Sequence, residues 1–408
     1  MSRDIGAYLT SESCLPGDHP RALLLARVWM PSVKGPVLVR VDGDRLLDLS
    51  AIAPTSSELL NRPDLAREIE SANALPSIAS LADALANSAE EGRDPSRPWI
   101  LAPCDLQAVK ASGVTFVASM LERVIEEQAR GDPTRADAVR HKIAGVIGDN
   151  LRSVRPGSVE ASRVKEVLFA EGLWSQYLEV GIGPDAELFT KAQPMSSVGT
   201  GADVGIHRQS TWNNPEPEIV LAVNARCDAV GATLGNDVNL RDFEGRSALL
   251  LGRAKDNNAS CAIGPFIRLF DRTFTIDAVR HSELALKVEG NDGFVLDGTS
   301  SLSQISRDPV DLVRQAIGAD HQYPDGMMLF LGTMFAPTQD RHAPGQGFTH
   351  EVGDIVSIST PSLGRLVNRV NYADAIAPWT FGAGALMRNL AERGVLAGKS
   401  KAAWSDGR

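Results

Sequence analysis

Short apolar runs at residues 22–28, 36–41 and 45–49 alternate with turn signals at Val33-Lys34-Gly35 and Asp42-Gly43-Asp44, which predicts a small β-meander. Helical spacing follows over 56–61, 65–71 and 77–88. The charged, breaker-rich stretch 90–98 reads as a boundary, dividing a small N-terminal α/β (α+β) domain, residues 1–100, from a larger one over 101–408. Beyond the strand or loop at 112–117, Met120, Leu121, Val124 and Ile125 form the apolar stripe of a helix over 119–130. The acids Glu122, Glu126 and Glu127 flank that stripe, and a solvated helix face is the plain alternative for them. A polar stretch over 131–165, with a helix expected at 134–147, reads as a helical excursion and a candidate lid. From Gly181 onward strands dominate: 219–223, 229–234, 273–277, 284–288 and 326–333, with closing hairpin strands near 352–358 and 363–368 and one helix at 309–318. Without regular β-α alternation, the fold class is α+β and β-dominated.

One apolar strand opens on two acids. Glu216 and Glu218 are two apart ahead of the run 219–223, so they project from one face of the strand. Like charges that close repel unless something positive lies between them. Asp237, at the end of the next strand, closes a three-carboxylate set if the two strands pair. All-oxygen donors without His or Cys suit Mg²⁺, Mn²⁺ or Ca²⁺ rather than Zn²⁺. A bare E-x-E spacing is also what a solvated strand edge looks like.

The composition, 43% hydrophobic and 23% charged, allows a large core, and the net charge of -10 excludes a phosphate-neutralising nucleic-acid surface. It does not exclude an anionic small molecule, since a metal ion and Lys reverse the local field. No apolar run approaches the roughly 20 residues of a membrane helix, and the start Met1-Ser2-Arg3-Asp4 lacks the features of a signal peptide. Cys14, Cys104, Cys227 and Cys261 are scattered and read as reduced thiols. These features predict a soluble cytoplasmic protein with neither nucleic-acid nor membrane partners.

Several motifs in order carry a resemblance: Glu216-Pro217-Glu218, Asn236-Asp237 through Arg241-Asp242, Lys255, Gly264-Pro265, Gly332-Thr333 and Gly353-Asp354-Ile355-Val356. Over roughly residues 105–375 the pattern resembles the fumarylacetoacetate hydrolase superfamily. The resemblance implies a mixed β-sandwich roll around a carboxylate-bound Mg²⁺ or Mn²⁺, with Glu216, Glu218 and Asp237 at the metal-ligand positions, Lys255 at the catalytic lysine and Thr333 at the substrate-contacting threonine. Gly113 through Phe116, Met120 through Arg123, 187–191 and 379–390 narrow it to the 2-keto-3-deoxy-sugar-acid dehydratases, which convert 2-keto-3-deoxypentonates to 2,5-dioxopentanoate. Thr115 stands where the hydrolytic members have an Asp metal ligand, and Glu122 where they have a His base. The departure weakens C–C hydrolysis and makes Glu122 the acid/base candidate. Dehydration of such an acid needs one hard cation, one cationic helper and one proton-transferring carboxyl, and Glu122 at the hydroxyl end with Lys255 near C2 and C3, or the reverse, supplies the last two. Thr115, Phe189, Lys191 and Arg208 are candidate substrate contacts, with packing or a surface charge as the alternative for Phe189 and Lys191. The expected substrate is a small anionic 2-keto acid and the expected assembly a homodimer or homotetramer. The competing readings are a hydrolase of acylpyruvates or 2,4-diketo-3-deoxy acids, and a catalytically silent sugar-acid binding protein.

Overall fold

The computed structural model describes residues 3–397, apart from 73, 131, 133, 137–153, 171–173, 336 and 338. Its frame is a large sheet of strands β1 (Leu24–Met30), β2 (Gly35–Asp42), β3 (Arg45–Asp48), β4 (Ser77–Ser80), β5 (Trp99–Leu101), β6 (Ala108–Gly113), β7 (Glu187–Ala192), β10 (Pro217–Val223), β11 (Ala229–Asp237), β13 (Cys261–Leu269) and β16 (Met327–Phe330). Their order is β4-β3-β2-β1-β13-β11-β10-β16-β6-β7, with β5 also on β1. A second sheet has the order β15-β14-β17-β18-β8 and uses β8 (Asp203–Ile206), β14 (Glu283–Glu289), β15 (Val295–Ser301), β17 (Ile355–Thr360) and β18 (Gly364–Tyr372). A two-stranded pair joins β9 (Asn213–Asn214) to β12 (Asn239–Leu240). Pairing is antiparallel except for β16 with β6 and β18 with β8.

The N-terminal meander forms as its turn residues predict, and it extends the large sheet: β1 pairs with β13 through Leu24↔Arg268 and Leu25↔Ile267. Residues 77–88, expected as one helix, divide into β4 and a helix Leu81–Ala86, because Ser80 caps the helix by accepting from the Asp83 amide. Residues 273–277, expected as a strand, form a turn around Asp271 and the start of a helix Ile276–Arg280; the Asp271 carboxylate takes the amides of Thr273 and Phe274, a local alternative to the sheet ladder. Of the expected excursion, a helix Val159–Ala170 is described, and residues 137–153 lie outside the described residues.

β10 shows why its run is continuously apolar rather than alternating. Ile219, Leu221 and Val223 pack with Leu284, Leu286, Val356, Ile358 and Leu366 between the two sheets. Val220 and Ala222 pack on the opposite face with Ile263, Met328 and Phe330. Burial on both faces removes the polar positions that a half-exposed strand would keep. Glu216 and Glu218 share the parity of Val220 and Ala222, at the strand's beginning.

A buried polar network holds the chain ahead of this strand. Arg341 and Asp354 are both fully buried and bonded at 2.7 and 2.8 Å, and His350 Nδ1 lies 3.0 Å from the same carboxylate. Burial opposes ionisation of Asp354, and Arg341 and His350 outweigh it, so its carboxyl stays well below the usual range. Next to His350, the Thr349 hydroxyl accepts from the Asn213 amide at 3.3 Å, and the His350 amide donates to Asn213 Oδ1 at 3.2 Å, three residues before Glu216. Removing one partner of a buried ion pair leaves the other charge uncompensated. Arg341→Met is therefore expected to destabilise the protein by about 3–5 kcal/mol, read as a lower urea midpoint at unchanged slope.

Candidate active site

Three strands and two loop ends bring five carboxyl groups to one place. β10 and β11 pair with Pro217↔Asn236 and Glu218↔Gly235 in register, and the Asp237 amide donates to the Glu216 carbonyl at 3.0 Å. Glu216, Glu218 and Asp237 are all buried, and one carboxylate oxygen from each lies within 4.8 Å of the others. The three-carboxylate set expected from spacing is thus assembled by strand pairing.

Each carboxylate has a separate support. Glu218 Oε2 accepts from the Gly332 amide at 2.6 Å. Gly332 has φ +89, and a Cβ there would lie 2.1 Å from Thr115 Oγ1, so only glycine brings that amide into place. Thr115 donates to the Leu331 carbonyl at 2.7 Å and does not line the cavity: it clamps the β16 loop instead of touching substrate. Asp237 pairs with Lys191 at 2.8 Å and with Lys255 at 3.0 Å. Burial works against its charge, but the two ammonium groups prevail and hold its carboxyl below the usual range. Glu216 accepts from Lys255 at 2.5 Å, from Asn239 at 3.2 Å and from Arg123. Among the described residues no cation is bonded to Glu218; burial first, then Asp237 and Glu216, push its carboxyl well above the usual range.

Lys255 ends the short helix Leu251–Lys255, just before Ser260 and β13, where Cys261 pairs with Asp237. Burial disfavours its charge, and Asp237 and Glu216 reverse that and raise its pKa. It is held as an ammonium, 5.6 Å from the ring centre of Phe189. Lys191 is fully buried and also donates to the carbonyls of Val238, at 3.0 Å, and Lys255, which makes it a strut behind the site rather than a wall. Thr333 lines the cavity, its hydroxyl accepting from the Phe335 amide at 3.0 Å.

Two expected residues lie elsewhere. Arg208 is exposed, paired with Asp374 at 2.8 Å and stacked on Tyr372, and is not among the residues lining the cavity. Glu122 also falls outside the lining and accepts from Arg241 at 3.4 Å. The reason is helical phase: on the Val117–Ala129 helix it is Ser119 and Arg123, four apart, that face the cavity. Arg123 bonds both Glu216 and Glu244, the latter at 2.8 Å.

Glu187, at the start of β7, is the carboxyl that Glu122 is not. Its partner in register is Gly113 on β6, and a Cβ on Gly113 would lie 2.0 Å from Glu187 Oε2, so the carboxyl occupies the space a side chain would take. Burial, then the nearby Glu244, push its pKa up to about 7 against the opposing pull of Arg123 and Lys255. In sequence, the signal was a lone acid two residues before Phe189 on a strand otherwise read as pocket wall. Glu244 and Arg123 carried no such signal, because they meet only through the fold.

The enclosed cavity measures about 20 Å³, room for roughly one water. Larger grooves of about 750 and 420 Å³ lie on other faces and contain none of these carboxylates. All four cysteines are free thiols, and burial pushes those of Cys14, Cys104 and Cys261 up to about 12, which leaves them inert. Among the described residues no helix is long and apolar enough to cross a membrane.

Comparison with known proteins agrees with this geometry. Residues 174–371 match the family described as fumarylacetoacetate (FAA) hydrolase C-terminal. The chain is 29% identical over 187 residues, 45% of its length, to 2-dehydro-3-deoxy-D-arabinonate dehydratase of Saccharolobus solfataricus. It is also 29% identical over 194 residues, 48% of its length, to a protein of Haloferax volcanii named probable 2-keto-3-deoxyxylonate dehydratase. These matches span 58% and 63% of the two relatives' own lengths. In fold, the chain resembles 2-keto-3-deoxy-D-arabinonate dehydratase complexed with magnesium and 2,5-dioxopentanoate, with TM-score 0.58 and 21% identity over 86% of this chain and 99% of that one. The apo form gives TM-score 0.59. Residues 174–371, which carry Glu187, the three buried carboxylates and Lys255, are thus similar to the fumarylacetoacetate (FAA) hydrolase C-terminal family.

Proposed function

We propose that the protein is a hydro-lyase that removes water from a 2-keto-3-deoxypentonate, giving 2,5-dioxopentanoate, with Mg²⁺ or Mn²⁺ as its cofactor. The observation that carries the reading is the buried triad Glu216, Glu218 and Asp237 beside Lys255 and the proton-exchanging Glu187. The donor set fits a hard divalent cation: it is all oxygen, buried and over-supplied with negative charge. With every group ionised, five carboxylates (Glu187, Glu216, Glu218, Asp237, Glu244) would face three cationic side chains (Arg123, Lys191, Lys255), a surplus that the raised pKa of Glu218 and Glu187 relieves in the metal-free protein. When bound, the cation would act as a Lewis acid on the keto group of a 2-keto acid and make the C3 protons acidic.

The chain's own residues supply the rest. The Lys255 ammonium, buried and hydrogen-bonded, stabilises negative charge that develops on the keto oxygen. The Thr333 hydroxyl binds the substrate carboxylate. Glu187 takes the C3 proton as a base and returns it as an acid to the departing C4 hydroxyl, which leaves as water and gives the 3,4-unsaturated 5-hydroxy-2-keto acid. A proton then moves from C5 to C3, and the resulting C4–C5 enol tautomerises to 2,5-dioxopentanoate. Entry of a five-carbon acid into a cavity of about 20 Å³ requires Arg123 to swing from Glu216. The relatives named as dehydratases support the reading, and the sugar acids in their names set the class tested first.

The deciding measurement is product mass after incubating chelator-stripped protein with racemic 2-keto-3-deoxypentonate, with and without Mg²⁺. Mg²⁺-dependent loss of one water is expected; two carbon fragments would mean a C–C hydrolase. Glu187→Gln is expected to lower kcat by about 10²–10⁴-fold with Mg²⁺ affinity by calorimetry little changed, and Gly113→Ala, which evicts the same carboxyl, should do the same. The corresponding change at Glu122 should cost far less.

Glu187 also predicts a pH dependence of stability. Its carboxyl is raised from the usual 4.5 to about 7, so the folded state binds a proton that the unfolded chain has lost. That contribution is complete below pH 4.5 and disappears as pH rises through 7. In metal-free protein the fall in Tm across this window should be smaller in Glu187→Gln than in the wild type. An equal fall in both would remove the shift.

A further inference from the structure

Three cationic side chains touch the carboxylate triad, and they differ in how firmly they are enclosed. The Lys191 side chain is 0% exposed and that of Lys255 3%, whereas Arg123 keeps 13%. Lys191 is pinned by two backbone carbonyls, and Lys255 bridges Glu216 and Asp237 at 2.5 and 3.0 Å. Arg123 reaches in from the Val117–Ala129 helix and lines the cavity. Its two terminal nitrogens hold different partners: Nη1 pairs with Glu244 at 2.8 Å, and Nη2 with Glu216 Oε1.

The Glu216 contact is the one that a divalent cation would contest. Glu216 Oε1 also accepts from Asn239 at 3.2 Å and Oε2 from Lys255, so both oxygens of this carboxylate already carry N–H donors. A cation on Glu216 would draw on the same lone pairs and repel the guanidinium as a like charge. The Glu244 contact lies outside the triad, so Arg123 can leave Glu216 by pivoting about Glu244. A substrate carboxylate would then replace Glu216 on the same nitrogen, charge for charge. A planar guanidinium matches a carboxylate in both charge and geometry. Thr333, the other proposed contact of that carboxylate, lines the same cavity of about 20 Å³.

We infer that Arg123 is an exchange ligand of this site: it holds Glu216 while the cation is absent, and passes to the substrate carboxylate once the cation is bound. The inference rests on the proposed 2-keto acid and divalent cation at the triad. Arg123 thereby opposes the cation and recruits the acid, so one substitution must shift the two affinities in opposite directions. The test is calorimetric titration of the chelator-stripped full chain, wild type and Arg123→Gln, with Mg²⁺ alone and then, at saturating Mg²⁺, with 2-oxopentanoate. That acid has no C4 hydroxyl to eliminate, so binding is read without turnover. Arg123→Gln is expected to bind Mg²⁺ roughly fivefold tighter or more. It should bind 2-oxopentanoate roughly tenfold weaker or more, the loss of one charge-assisted hydrogen bond.

A guanidinium that only positions Glu216 predicts the reverse for the metal, because its removal loosens a ligand; weaker Mg²⁺ binding therefore overturns the inference. A guanidinium that only blocks the cavity predicts tighter binding of the acid as well. That result, an unchanged affinity for either ligand, or a wild type that binds neither also overturns it. Arg123→Lys, which keeps the charge but offers one ammonium in place of two arms, replaces the glutamine variant if that fails to fold, and must move both affinities in the same two directions. Opposite shifts without dehydration of the pentonate would retire the hydro-lyase reading and leave the exchange standing. Dehydration with both shifts of one sign would do the reverse.

Discussion

Mutual repulsion among buried carboxylates is the constraint around which this molecule is built. Glu216, Glu218 and Asp237 sit within 4.8 Å of one another, out of bulk water, where Coulomb energies are several times those at a surface. Such a cluster persists only if every charge has a specific answer. Lys191 and Lys255 answer Asp237, Lys255 and Arg123 answer Glu216, and Glu218 takes one backbone amide and a strongly raised pKa. The surplus of carboxyl groups over cationic side chains is what a bound divalent cation would offset.

Holding these groups together draws on distant parts of the chain. Lys191 comes from β7 at the edge of the large sheet, Asp237 from near its middle, and Gly332 from the end of β16. The two-faced burial of β10 fixes the register that puts Glu216 opposite Asp237; a slip of one residue would turn both glutamates away and expose Ile219 and Leu221 to the wrong face. The Arg341–Asp354–His350 network performs the same service one step upstream, by fastening Asn213 before the chain turns into the ligand strand.

What was legible in the sequence was what local pattern can encode. The E-x-E phase on an apolar strand, the N-terminal meander and the helix stripe of Met120, Val124 and Ile125 each follow from spacing, and each is found in place. Glu122, the expected acid/base candidate, falls outside the cavity lining because Glu122 and Arg123 differ by one residue, or about 100° of helix, and no local pattern says which of them looks inward when Leu121 and Val124 flank both. Glu187 and Glu244 become chemistry only after β6, β7 and the Arg241–Glu244 helix converge. Arg208, by contrast, looked useful by its place ahead of the metal strand and is answered on the surface by Asp374, 166 residues away.

The proposed preference for elimination over C–C hydrolysis would follow from the same geometry. Hydrolysis requires a water molecule, a base to activate it and room for both beside the bound substrate. Among the described residues no histidine lines the cavity to activate such a water. Elimination asks for less: the proton leaves C3 and returns to the oxygen on the adjacent C4, a distance that one carboxyl spans without moving. Glu187, seated against Gly113 in the space of a missing Cβ, is such a carboxyl, and it reaches an ammonium-lined site with its own pKa already near neutrality. One acid in this pocket would therefore account for the transfer from C3 to the C4 hydroxyl, whereas a hydrolysis would also need a base for its attacking water.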